Sequence, residues 1–273
     1  MAVVADQVQL AFPSRQPPLE GMWTHGFRLG ASFRTRVLPL PSCKIIFHCT
    51  SDSLQSSGLT EKASGLVAGM TPQVGQVRGS DIEGIEVQLS PLVAAAVLGV
   101  SPVELDESPI ALDEVWGADA QRLRSRLVET RGWERRFALV HESLMQRCRE
   151  NRTGDPEVAD AWRRIRRSGG QVCVADLARD YGWSRTRFWS RFKNQVGVSP
   201  KRATRIVRFD RALRLISAGV DLAAVAAVSG YADQSHLNRD FLDLAAATPG
   251  ELRADPSWTD EPAWLLDDPT LTG

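Results

Sequence analysis

Cysteine is scarce in this chain: Cys43, Cys49, Cys148 and Cys173 are the only four in 273 residues, and none forms a C-x-x-C pair. That scatter excludes a disulfide framework and reads as buried free thiols in a reducing compartment. No run of about 18 apolar residues occurs, so no membrane-spanning helix is expected. The N-terminal MAVVADQVQL lacks a basic stretch ahead of an apolar one, so no signal peptide is read and the expected location is the cytoplasm. G-x-S-x-G, H-E-x-x-H and a phosphate-binding loop are all missing; no enzyme and no cofactor are expected. Net charge is absent too, with 33 Lys and Arg against 33 Asp and Glu.

The zero hides a split. Between Arg163 and Arg208 stand 13 basic and 2 acidic residues, whereas from Phe209 onward there are 4 basic and 11 acidic. A basic block inside a neutral chain suits a polyanionic partner, nucleic acid first; an ordinary solvated arginine-rich helix surface gives the same count. A hydrophobic content of 43% is enough for a sizeable core, and the length suits about two domains.

Residues 30–90 read as short strands between turn residues: Val37–Leu40, Lys44–His48, Gly65–Gly69 and Gly84–Leu89, a small sheet or barrel. Ser90-Pro91 opens a helix through Val97, Ser101-Pro102 repeats the signal for a shorter one, and helical patterns follow at 119–130 and 133–149. The polar cluster Asn151–Pro156 marks a boundary, after which the chain reads as all helix. Cys43, His48 and Cys49 form a soft-ligand cluster. Zinc takes about four ligands and the spacing fits no standard finger, so these residues read as strand positions packed in a core.

The C-terminal part contains one pattern twice. In Val174–Pro200 and Leu222–Pro249, Ala178-x-x-x-Gly182 matches Ala226-x-x-x-Gly230, with Trp183 and Tyr231 after each glycine. Phe188 and Phe192 match Leu237 and Phe241, and Ser199-Pro200 matches Thr248-Pro249. The offset is 48 before the turn and 49 after it. A small residue allows a close helix crossing, glycine supplies the turn conformation, and the i, i+4 pair makes a narrow apolar stripe. This is the pattern of a helix-turn-helix. Between the copies, Ile206, Phe209, Leu213 and Ile216 are spaced for a helix of about 18 residues, roughly 27 Å long. That is close to the turn of about 34 Å separating successive major grooves on one face of DNA.

The stretches GYADQSHLNRDF with TPGELR, and GWSRTRFWSRFKNQVGVSPKR, resemble the two motifs of AraC-type (AraC/XylS) transcription regulators over residues 158–253. The family commonly has arginine at the place of Ser190, with Arg191 beside it here, and glycine near Ala246. VLPLPSCKIIFH and GIEVQLSPLVAAAVLGVSPVELDESPIALDEVWG resemble the regulatory halves of one subgroup. The resemblance implies an α+β two-domain protein. A β-rich, cupin-like sensor with helices would occupy 1–150, a linker 151–157, a double helix-turn-helix 158–253 and an acidic tail 254–273.

Arg185, Thr186, Trp189 and Ser190 lie off the first apolar stripe, and Gln234, Ser235, Asn238 and Arg239 off the second; by motif position these face the major groove. Arginine suits guanine or phosphate, Gln and Asn suit adenine, Thr and Ser suit either base type, and Trp189 suits a thymine methyl. Arg187, Lys193, Lys201 and Arg205 read as phosphate anchors. The expected partner is double-stranded promoter or operator DNA, with a small-molecule effector, RNA polymerase and a second copy of the chain admitted, and no membrane. Two alternatives stay open for the N-terminal half: a metal or thiol-chemistry sensor, and a dimerisation domain only. The tail, with Trp258, Trp264, Leu265 and Leu266 among acidic residues, reads as a free end, a partner segment, or a cover for the basic block.

Overall fold

The computed structural model describes residues 8–15, 17–29, 33–36, 38–50, 55–56, 63–70, 76–79, 82–105, 108–150 and 154–254. Alternating burial builds the N-terminal half. Strands β1 (Val8–Ala11), β2 (Met22–Leu29), β4 (Cys43–His48), β6 (Gly65–Ala68), β8 (Ile82–Leu89) and β9 (Ile110–Ala111) form an antiparallel sheet. Its order is β1-β2-β8-β4-β6-β9. A second antiparallel sheet has the order β3 (Phe33–Arg36), β7 (Gln76–Gly79), β5 (Gln55–Ser56).

Successive side chains on a strand point to opposite faces. Cys43, Ile45 and Phe47 of β4 and Ile85, Val87 and Leu89 of β8 therefore share one face, where they join the core beneath the helices. These helices are α1 (Pro91–Leu98), α2 (Leu112–Trp116), α3 (Ala118–Glu129) and α4 (Trp133–Glu150), with a 3₁₀ turn at Pro102–Leu105. Helix α4 crosses β2 at Gly26, where an added Cβ would sit 2.5 Å from the Trp133 ring. Arg136 of α4 then reaches Glu83 of β8 at 2.6 Å, and His141 lies 3.2 Å from the Thr24 hydroxyl.

The strands expected at Lys44–His48, Gly65–Gly69 and Gly84–Leu89 are present. Val37 lies outside the described residues, and Leu38–Leu40 is not a strand, because Pro39 and Pro41 have no N–H for a ladder. Strand β2 went unread in the sequence: Gly26 interrupts it, and Thr24 and His25 are polar yet buried.

The remaining helices are α5 (Pro156–Arg167), α6 (Val174–Asp180), α7 (Arg185–Val196), α8 (Pro200–Ser217), α9 (Leu222–Val228), α10 (Gln234–Ala245) and α11 (Pro249–Ala254). The fold is thus α+β, with antiparallel sheets in the N-terminal half and helices in the C-terminal half. Of the cluster at the expected linker, residues 151–153 are outside the described set. The hydrophobic core does not part at that linker: it continues from Met22 through Phe188, Phe192 and Val207. A second core, from Phe209 to Leu252, belongs to the second motif, and Leu38 packs against it. Among the described residues no helix is long and apolar enough to cross a membrane.

Candidate nucleic-acid interface

Each motif is a short helix, a glycine turn and a longer helix. After α6 the Trp183 N–H donates to the Ala178 carbonyl at 3.0 Å; after α9 the Tyr231 N–H donates to the Ala226 carbonyl at 2.9 Å. This six-to-one bond closes a Schellman turn, with Gly182 at φ +63° and Gly230 at φ +75°. The repeated Ala-x-x-x-Gly-aromatic signature is therefore a helix stop.

The next helix starts on a side-chain cap: Ser184 Oγ accepts the Arg187 N–H at 3.2 Å, and Asp233 Oδ1 accepts the His236 N–H at 2.7 Å. Both longer helices end in a left-handed residue, Gly197 at φ +96° and Ala246 at φ +49°. Ala246 takes without glycine the conformation that glycine supplies in the first copy.

Phe188 and Phe192, and Leu237 and Phe241, are fully buried, as the stripe requires. Arg185, Thr186, Arg187, Ser190 and Lys193 are exposed on α7, as are Gln234, Ser235 and Arg239 on α10; Asn238 is half-buried. Trp189 is 37% exposed, on the outward side of α7. The Arg187 guanidinium stacks 4.5 Å over the Trp183 ring, and Arg239 Nε donates to the Ser235 carbonyl at 3.3 Å. Leu242, 51% exposed, extends the outward side of α10 one turn beyond Asn238; the sequence reading passed over it.

Arg205 does not stand free as a phosphate anchor. It lies 2.7 Å from Asp240 and 2.8 Å from Asp243 on α10. Burial pulls its guanidinium down, and the Asp243 and Asp240 carboxylates more than offset that, holding the proton more firmly. Arg191 is also engaged, gripping Asp155 through Nε and Nη2 at 2.7 Å each. The Arg191 hydrogen bonds hold the Asp155 carboxyl below the usual carboxylate range.

The loop leading into the first motif touches the second. Gln171, before α6, donates from Nε2 to the Val228 carbonyl at 3.3 Å, and a Cβ on Gly230 would lie 2.8 Å from its Cγ. The N-terminal half also meets the first motif: Ser101 Oγ donates to the Asn194 carbonyl at 2.9 Å, and a Cβ on Gly197 would come within 3.0 Å of Pro102.

Elsewhere, strand alternation sends Cys43 and Cys49 toward the helices and His48 toward the opposite face. Among the described residues no group of three or more His, Cys, Asp or Glu could hold a metal. Burial pushes the Cys43 and Cys49 thiols up to about 12. The sheet face away from the helices bears Lys44, 3.1 Å from Glu86, and Gln88 Nε2, which donates to Glu86 at 3.0 Å. His25 lies beside Glu86 in the register. Burial raises the Glu86 carboxyl, and Lys44 and His25 more than reverse that, so it stays below its ordinary value.

Two capped helices with polar outward faces, each seated by its own turn, define the C-terminal half as the DNA-binding part of a transcription regulator. Residues 177–255 match a helix-turn-helix domain family model, of the AraC type. No curated protein matches the chain. Among solved structures, ToxT from Vibrio cholerae is similar at 15% identity with a TM-score of 0.47, covering 88% of this chain and 100% of that one. The C-terminal domain of AraT, a response regulator from Geobacillus stearothermophilus, is similar at 18% identity and TM-score 0.34, over 37% of this chain and 85% of that one. The xylose-binding transcription activator XylR is similar at 21% identity and TM-score 0.34, over 44% and 37%.

Proposed function

We propose that this regulator reads two successive major grooves of a promoter site, with α7 and α10 as its recognition helices, and that its N-terminal half controls the reading. The observation that carries the proposal is the pair of outward faces in equivalent register on helices joined by α8. Arg185, Thr186, Trp189 and Ser190 read one half-site; Gln234, Ser235, Asn238 and Arg239 read the other. Arg187 and Lys193 anchor the phosphates. Because the sets of four differ, the site is asymmetric.

Control by the N-terminal half is supported by its contact with the first motif, at Ser101–Asn194 and Pro102–Gly197. A change in the sheet reaches α7 through α1 and the 3₁₀ turn. The Lys44–Glu86–Gln88 cluster with His25 offers fixed polar groups to a small effector. Selection of bound DNA from a random pool tests the reading. A bipartite, non-palindromic motif with centres about one helical turn apart is expected. A single short motif, or no enrichment, would refute it.

A further inference from the structure

The repeat aligns more than its landmarks. With the offset of 49, Ser184 falls on Asp233, Phe188 on Leu237 and Phe192 on Phe241, so Arg191 falls on Asp240. These two residues have opposite charge, and both are engaged in ion pairs. Arg191 of α7 makes a two-pronged bond to Asp155, which leads into α5. Gln195 completes that joint, donating to Asp155 Oδ2 at 2.8 Å and accepting its backbone N–H at 2.7 Å. Asp240 of α10, 5% exposed, accepts Arg205 Nε at 2.9 Å. Arg208 stands 3.8 Å away on its other oxygen, with its guanidinium 5.0 Å above the Tyr231 ring. Helix α5 leads into α6 and α7, just as α8 leads into α9 and α10.

We propose that Arg191 and Asp240 are positioning residues, each tying its recognition helix to the helix that carries it, with the polarity reversed between the two copies. The apolar stripe alone holds a helix against its neighbours but leaves its roll weakly fixed. A side-chain tip about 6 Å from the helix axis moves about 1 Å for a 10° roll, enough to spoil a base hydrogen bond. A directional charged bond one position off the stripe fixes that roll. With the reversed polarity, crossed pairing would set Asp240 against Asp155 and Arg191 against Arg205, like charge against like. Arg191 and Arg205 accordingly serve DNA reading without neutralising phosphate, although both belong to the basic block.

This inference rests on the proposed DNA reading, so wild-type protein must first bind its selected site; failure there overturns that reading instead. The test measures Arg191→Met, Arg191→Lys, Arg205→Met and Arg205→Lys against Arg185→Ala, recording affinity over a salt series and base preference in each half-site. Arg191→Met is expected to weaken binding about tenfold. Its salt slope should match the wild type, with preference relaxed only in the half-site of α7. Arg205→Met should do the same for the half-site of α10. Lysine keeps the charge but not the fork, so it should restore part of the preference. A slope reduced by about 0.9, the signature of a lost phosphate contact, would overturn the proposal. So would an equal loss of preference in both half-sites, as general unfolding produces. Should Arg205→Met fail to fold, Arg205→Lys and the exposed Arg191 pair decide the matter alone.

Discussion

Replacing Gly230 and Gly182 with alanine separates two costs that the sequence repeat makes look identical. Both glycines have positive φ, +75° and +63°, so alanine at either should lose about 1–2 kcal/mol to the left-handed conformation. A Cβ at Gly182 meets open space, whereas one at Gly230 lies 2.8 Å from Cγ and Cδ of Gln171. Gln171 is exposed and its side chain can swing aside, at the loss of its hydrogen bond to Val228, about 1 kcal/mol. Gly230→Ala should therefore be the more destabilising by about 1 kcal/mol, roughly 2–4 °C in midpoint for a chain of this size. Gln171→Ala gives up one hydrogen bond, to Val228, worth about 1 kcal/mol, but makes room for the new methyl. In a double-mutant cycle by urea unfolding, Gln171→Ala should cost less in the Gly230→Ala background than in wild type. Equal losses at the two glycines, with no coupling to Gln171, would refute the contact between Gln171 and the turn of the second motif.

Arg185→Ala should lower the salt dependence of DNA binding more than Arg239→Ala, because the second motif sits among Asp233, Asp240 and Asp243; an equal or larger drop for Arg239→Ala would count against it. His48 is held down to about 4, first by burial, so the ring folds neutral with Nδ1 3.0 Å from the Ala63 carbonyl. Its folded value lies below the unfolded value of about 6.5. The stability from its neutral burial is thus complete above pH 6.5 and declines as pH falls toward 4, by about 2 kcal/mol at pH 5. His48→Gln should flatten urea-measured stability between pH 7 and 5, and an unchanged pH dependence would contradict this. In a timed alkylation at pH 8, exposed Cys173 should label before Cys43 and Cys49, whose thiols are buried; early labelling of Cys43 or Cys49 would instead favour a thiol-chemistry sensor.

The repeat was legible because its landmarks are local. Glycine, the aromatic after it, the i, i+4 stripe and the capping residue fall within about 20 residues, and each follows from backbone geometry. Strands β4 and β8 were visible for the same reason, by alternation. Strand β2 was not, since Gly26 is present to admit the Trp133 ring of a helix more than a hundred residues later. The ion pairs on the recognition helices join residues 36 and 35 apart, and Gln171 meets Val228 across 57, separations that no periodicity reports. Composition counts the charge of Arg205 without the Asp240 and Asp243 carboxylates that pair with it. Nor did the boundary at Asn151–Pro156 indicate that the first motif would share its core with the N-terminal sheet.

Helices α7 and α10 are expected to enter successive major grooves together. Hydroxyl-radical and major-groove methylation footprints of the full-length protein on its selected site test it most directly. Two protected stretches are expected on one face of the duplex, centred about one helical turn apart. Arg185→Ala should release protection in one stretch and Arg239→Ala in the other. One continuous stretch that responds equally to both substitutions would contradict it.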